Sequence, residues 1–399
     1  LENGSVTVNA DNSGQTVTQG SSSAVPDEAP VITQRESSVE TGNTIAISTS
    51  DNAAANVTIK DINIKSSKDA IDVKGSSSAN ITLEGDNKIF SETGSALHVS
   101  DGNVTINGSG SLKAEIQDEP FGYNHNAKIG SHEKEDMSGS IHITGDATVK
   151  TDDNIASNCG GDGAGIGSGE DGEMSGNIVI DGNAQVEVSS NDRGAGIGSG
   201  DDGNLSGNIM IGGNAQVSAT GAEDSAGIGT GDDGNFTGSI TIDGNAKVTA
   251  KAGGDHSGSD GSGIGAGDDG DFTGTVTIGG NAAVVAAGSD EGCGIGTSDG
   301  KYMNGIIIIR DHAKVTAYGG NQGAAIGSED YGDMTGKIII VGNAIVNTGV
   351  VDDAGNVLSD RIGYIGDGEN PKHDSSDGHY ILGPDVTINS LNGSDTEAL

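Results

Sequence analysis

Residues 163–190 read GAGIGSGEDGEMSGNIVIDGNAQVEVSS, and residues 194–220 read GAGIGSGDDGNLSGNIMIGGNAQVSAT. Taking the isoleucine of the IG step as origin, the phrase recurs at Ile129, Ile166, Ile197, Ile228, Ile264, Ile295 and Ile326. Eight residues on stands a large apolar side chain: Met137, Met174, Leu205, Phe236, Phe272, Met303 or Met334. Twelve residues on, a run such as GNIVI reaches Ile141, Ile178, Ile209, Ile240, Val276, Ile307 or Ile338. A GNA-type turn then leads to Val149, Val186, Val217, Val248, Val284, Val315 or Val346. The offsets never change, and all length variation falls between that valine and the next IG.

Each repeat of about 31 residues thus offers three short strands, as in AGIGS, GNIVI and AQVEV. The latter two alternate apolar and polar with the two-residue period of a pleated strand. So short a strand is stable only when stacked on its own copy, which completes its hydrogen-bond ladder and covers its aliphatic face. The expectation is an all-β right-handed parallel β-helix, a solenoid with three strands per coil. Residues 53–116 repeat a shorter form at a period of about 23. Ten or eleven coils between Val57 and Ile388, at about 4.8 Å each, give a rod of about 50 Å. A nonapeptide calcium repeat would recur every nine residues, and a propeller blade needs four strands in about 40; neither fits.

The predicted organisation is a linker or loosely packed N-terminal cap over 1–40 and a single β-helix over 41–399. The helix divides into short coils at 53–116, long repeats at 127–350 and a C-terminal cap at 351–399. The Ser/Thr/Asn-rich composition of the first forty residues carries the linker reading. Residues 366–380 read as a long loop before a last strand at DVTINS.

Composition agrees with a narrow repetitive core. Hydrophobic residues make up 32% and aromatics 3%, with 70 glycines among 399 residues; a single globule could not be built from these proportions, whereas a solenoid reuses a few aliphatics. The net charge of −40 disfavours nucleic acid and anionic membrane as partners, because cations are too few to neutralise phosphate. No apolar run is long enough for a transmembrane helix. Cys159 and Cys293 lie in no CxxC pattern, which removes zinc-ribbon and redox motifs. They sit four repeats apart, too far for a disulfide, and Cys293 fills an alanine slot as a small buried thiol. The sequence shows no signal-peptide pattern and is expected to be a mature or trimmed fragment.

The recurring letters divide into structure and chemistry. Glycines flanking IG serve tight corners; a phosphate-cradle reading fails for want of a following helix. Asn183, Asn214, Asn245, Asn281 and Asn343 form a column in the GNA turn, a ladder interrupted by Asp146 and His312. The acidic turns stack Glu170-Asp171, Asp201-Asp202, Asp232-Asp233 and Asp268-Asp269. Like charges one coil apart repel by about 1 kcal/mol in water and about four times that near a protein surface. Two answers remain open: Ca²⁺ bound at Asp171, Asp201, Asp202, Asp232, Asp233, Asp268 and Asp269, or solvated turns that splay. Tyr302, Tyr318 and Tyr331 cluster late in the chain and would give a stacking strip for a sugar.

The stretch DAIDVKGSSSANITLEGDNKIFSETGSALHVSDGNVTINGSGSLKA at residues 69–114 resembles the carbohydrate-binding right-handed parallel β-helices of Clostridia and related Firmicutes, similar in fold to pectate lyases. The GAGIGSG repeats resemble those of large surface proteins of the same bacteria. The resemblance implies an extracellular or cell-surface bacterial location, bound calcium, and a partner that is cellulose, an acidic polysaccharide or a host or cell-surface glycan. It transfers no ligand residue, because no diagnostic binding motif is visible.

No catalytic residue is expected. The alternative is a polysaccharide lyase or glycoside hydrolase of the pectate-lyase type, for which Arg310, Asp311, His312 and Lys314 are the place to look. Against it, the outward slot of the GNIVI-type strands reads His142, Val179, Met210, Thr241, Thr277, Ile308 and Ile339, with no base beside a metal. Ice binding would need a flat threonine array, which the scattered threonines do not provide.

Overall fold

The computed structural model describes residues 1–117, 124–151, 161–254, 259–298, 302–329, 334–352, 356–358, 363–367 and 379–391. Among these the chain forms three sheets of 14, 12 and 11 strands, each coil giving one strand to each. The repeat ruler is the register itself. Ile166 pairs Ile197, Ile197 pairs Ile228 and Ile228 pairs Ile264 in parallel in the first sheet. Ile178, Ile209, Ile240 and Val276 align in the second, and Val186, Val217, Val248 and Val284 in the third. The slot eight residues after IG makes single parallel bridges from Met137 through to Met334. This is a parallel β-helix with three strands per coil.

The core follows from stacking. Alternate side chains point inward and each meets its own homologue one coil away, so aliphatics pile into continuous columns. Phe236 and Phe272 meet in the interior edge to face, with ring centroids 4.9 Å apart. The IG strand is only two residues long, and its glycine has one permitted identity. Gly198 sits at φ 143°, and a Cβ there would lie 1.8 Å from the carbonyl oxygen of Gly229 in the next coil.

Of the two readings of residues 1–40, linker or cap, the structure has a cap. Val6–Asp11 pairs in parallel with Ile45–Thr49 and antiparallel with Gly14–Gln19, and Val6, Val8 and Ala10 enter the core. Buried Gln15 clasps this cap to the first coil: its Nε2 donates to the Asn56 carbonyl at 3.0 Å and its Oε1 accepts from the Asn56 amide at 2.8 Å. At the other end, Ile365–Asp367, Tyr380–Leu382 and Thr387–Ser390 add one strand to each sheet. The last of these is the strand expected at DVTINS; most of the loop expected over 366–380 lies outside the described residues.

Candidate functional site

The acidic turns are split by backbone geometry. The second acid of each pair, Asp171, Asp202, Asp233 or Asp269, has a left-handed φ of 53–56° and is exposed. Asp tolerates that conformation better than most residues. The first acid turns back toward the corner. There it meets the slot four residues before each IG, occupied in turn by His125, Asp162, Arg193, Asp224 and Asp260. Backbone hydrogen bonds fix the relation coil after coil. Amides of Glu170, Asp201, Asp232 and Asp268 donate to the carbonyls of His125, Asp162, Arg193 and Asp224 at 3.0, 2.9, 3.1 and 2.7 Å.

Crowding raises the carboxyls on this inner column. Burial, then the neighbours Asp232 and Asp162, pushes Asp201 up to about 8. Burial and Asp224 raise Asp232 to about 7 against the opposing pull of Arg193. Burial, reinforced by Asp232 and Asp260, takes Asp268 to about 8. Arg193 is the chain's own counter-ion, its Nη1 lying 3.1 Å from Asp232 Oδ2. One step toward the N-terminus, His125 Nδ1 lies 2.8 Å from Asp162 Oδ2 and 2.6 Å from Glu170 Oε2.

A second ionic cluster marks the junction of short and long coils. His98 and His132 stack with centroids 3.9 Å apart and planes within 7°. His98 Nδ1 is 3.1 Å from Asp72 and its Nε2 is 2.9 Å from Glu135, while His132 Nε2 is 2.7 Å from Asp69. Burial opposes protonation of His98, but hydrogen bonds to Asp72 and Glu135 prevail and raise it to about 9. The bond from His98 holds Glu135 down at about 2. His98 pairs in register with Gly130, and His132 fills a slot that is glycine at 169, 200, 231 and 267. Histidine in a glycine slot is the signal that sequence reasoning passed over.

The outer face of the third sheet carries an open groove of about 500 Å³. Two outward columns line it: Gln185, Gln216, Lys247, Ala283 and Lys314, and Lys150, Glu187, Ser218, Thr249, Val285 and Thr316. The strands of this sheet hold Lys65, Lys88, Lys113, Lys150, Lys247, Lys251 and Lys314 against Asp86, Glu115 and Glu187. Seven cations against three anions reverse the balance of a chain with 19 Lys and Arg to 59 Asp and Glu. The period-two rule marks these positions as outward, yet the lysines are spread too widely along the sequence to stand out as a cluster.

Tyr318 drops out of the expected tyrosine strip. Tyr302 is half exposed, but Tyr318 is fully buried, and Tyr331 lies outside the described residues. Strand alternation points Tyr318 outward; Val351, Val357 and Leu391 fold over it instead. Cys293 is buried, and Cys159 also lies outside the described residues. The asparagine ladder runs as expected, Asn214 to Asn183 and Asn245 to Asn214 at 3.0 Å. Asp146 joins it by accepting from Asn183 at 2.9 Å, and His312 meets Asn343 at 3.2 Å. The left-handed position is the residue before each asparagine, Gly182, Gly213 or Gly244, and Asp311 where no glycine stands. Of the basic set considered for a lyase, Arg310 is paired with Asp311 and Asp243, His312 meets Asn343 and Lys314 lines the groove.

No family model, curated protein or solved structure matches the chain. Among the described residues no helix is long and apolar enough to cross a membrane.

Proposed function

We propose that this chain is a secreted or surface-anchored bacterial polysaccharide-binding protein of adhesin type, non-catalytic, with calcium at its acidic turns. The observation that supports this reading most is the lysine-lined groove on the third sheet. Gln185, Gln216, Lys247, Thr249 and Lys314 offer donors at coil spacing along the groove, suited to an extended polymer with carboxylates and hydroxyls, while Lys150 is already paired with Glu187. Among the glycans considered, an acidic one is favoured over cellulose: burial of Tyr318 removes one of the aromatic platforms that a neutral chain would stack on, whereas lysines attract uronate. The Clostridial β-helix resemblance of residues 69–114 points the same way.

Affinity electrophoresis through polygalacturonate, alginate and hydroxyethylcellulose gels tests the reading. Retardation by the polyuronates that weakens with salt supports it; equal mobility in all gels and in the blank rejects it. The calcium part is tested by chelation, which must lower the melting temperature in low-salt buffer. The alternative, a polysaccharide lyase or glycoside hydrolase, draws on Lys314 lying in the groove, where a basic residue would abstract a proton. Ultraviolet-absorbing unsaturated product from polygalacturonate would promote it.

A further inference from the structure

The corner column raises a question of charge balance that the acidic turns alone do not. At each step a side chain four before one IG, its counterpart in the next coil, and the first acid of that coil's turn come together. Around Arg193 the chain supplies the cation: its guanidinium meets Asp232 at 3.1 Å, and Asp201 and Asp224 also act on its charge. At the first step the same three places hold His125, Asp162 and Glu170. Their Nδ1, Oδ2 and Oε2 atoms converge, all lying within 4.8 Å of one another, with both carboxylates directed at a single ring nitrogen. One N–H cannot serve two carboxylates well at once, and all three side chains are largely shielded, between 14 and 26% exposed.

We infer that His125, Asp162 and Glu170 form a site for a borderline divalent cation of the zinc class, occupying the place that Arg193 fills in the coils beyond. One imidazole and two carboxylates are a donor set that Zn²⁺ and Co²⁺ accept and that Ca²⁺, an oxygen-seeking ion, does not favour. Tetrahedral bonds of about 2 Å put ligand atoms about 3.3 Å apart, so a slight opening of the hydrogen-bonded triad accommodates the ion. Binding requires the Nδ1 lone pair; the proton shared by the triad leaves to solvent as the metal enters, so uptake is proton-coupled. Among the described residues, Glu133, Asp192 and Asp201 lie nearby, with Lys134 and Arg193 as neighbouring cations. This inference rests on neither the glycan reading nor calcium at the outer acids.

The test uses Co²⁺ as the probe on the full chain, by absorption spectroscopy and calorimetry in two buffers of different ionisation enthalpy. Expected are one tight equivalent with d–d bands of a nitrogen-containing site, proton release, displacement by Zn²⁺, and survival of the bands in millimolar Ca²⁺. His125→Gln and, independently, Glu170→Gln must each weaken that equivalent by about 10–100-fold, with the β-sheet circular dichroism unchanged. Glu84→Gln, a surface carboxylate elsewhere, serves as the reference for general acidity. Featureless Co²⁺ uptake that Ca²⁺ abolishes, or that neither variant alters, would be condensation on acidic surface and overturns the site. Bands lost in His132→Gln but retained in His125→Gln would assign the ion to the stacked histidines and also overturn it.

Discussion

Arg193 and Asp232, 39 positions apart, meet at 3.1 Å from Nη1 to Oδ2, and the two flank a column that is otherwise carboxylate on either side. Asp162 and Asp201 lie below, Asp224 and Asp268 above. Arg193→Gln keeps a polar but shorter side chain and removes the charge. It leaves Asp232, which is 9% exposed, without its partner. A loss of about 1–3 kcal/mol is expected, the cost of an unsatisfied buried polar or charged group. Thermal melts at pH 8 check it, and the deficit must shrink at pH 5, where the column carries protons.

The same column makes stability fall with rising pH. Asp201, Asp232 and Asp268 have folded pKa values of about 8, 7 and 8, above the unfolded carboxylate near 4. Between these limits the native state holds more protons than the unfolded state, so unfolding free energy declines with pH. Their contribution is complete below about pH 4 and lost by about pH 8. His98, raised to about 9, acts with the same sign between about 6.5 and 9. Melting temperature in chelator must therefore drop from pH 5 to pH 9, and Asp201→Asn must flatten the profile. A profile that rises across this range refutes the assignment.

Glu135 works in the opposite direction. Its folded pKa near 2 lies below the unfolded value, so its stabilisation is present above about pH 4.5 and lost as pH falls toward 2. Glu135→Gln is expected to reduce stability at pH 6 and to have almost no effect at pH 2. Denaturant melts at the two pH values measure this.

Glycine at the IG step is a steric requirement. Gly198→Ala places a methyl 1.8 Å from the Gly229 carbonyl at φ 143°. The loss should be at least about 1–3 kcal/mol, from strain and overpacking together. Gly212→Ala provides the contrast, with nothing within 4 Å of its Cβ and no left-handed φ. It should be neutral or stabilising by about 0.4–1 kcal/mol through the unfolded chain. Apparent melting temperatures of the two variants decide it.

Charge reversal in the groove tests ligand class. Lys247→Glu with Lys314→Glu is expected to weaken polyuronate binding about tenfold, equivalent to about 1.4 kcal/mol. The melting temperature should hold, because both side chains are exposed. Unchanged retardation would place any glycan contact elsewhere.

Much of this molecule is written locally. Fixed offsets between Ile197, Leu205, Ile209 and Val217 determine the coil, because a strand that stacks on its own copy has one register that buries its aliphatics. The left-handed Asp202 and the asparagine ladder follow from the same translation. What fell outside that logic did so for want of repetition. Val6, Val8 and Ala10 form a short alternating pattern in polar sequence, and it reads as a strand only once Ile45–Thr49 is beside it. Tyr318 obeys the outward parity of its strand yet is buried, because the non-repeating Val351, Val357 and Leu391 close over it. The inner acid column was legible as repeated letters, but its meeting with His125, Asp162 and Arg193 was not. Those residues fall in the one corner where insertions shift the sequence spacing, so only the path of the backbone brings them together.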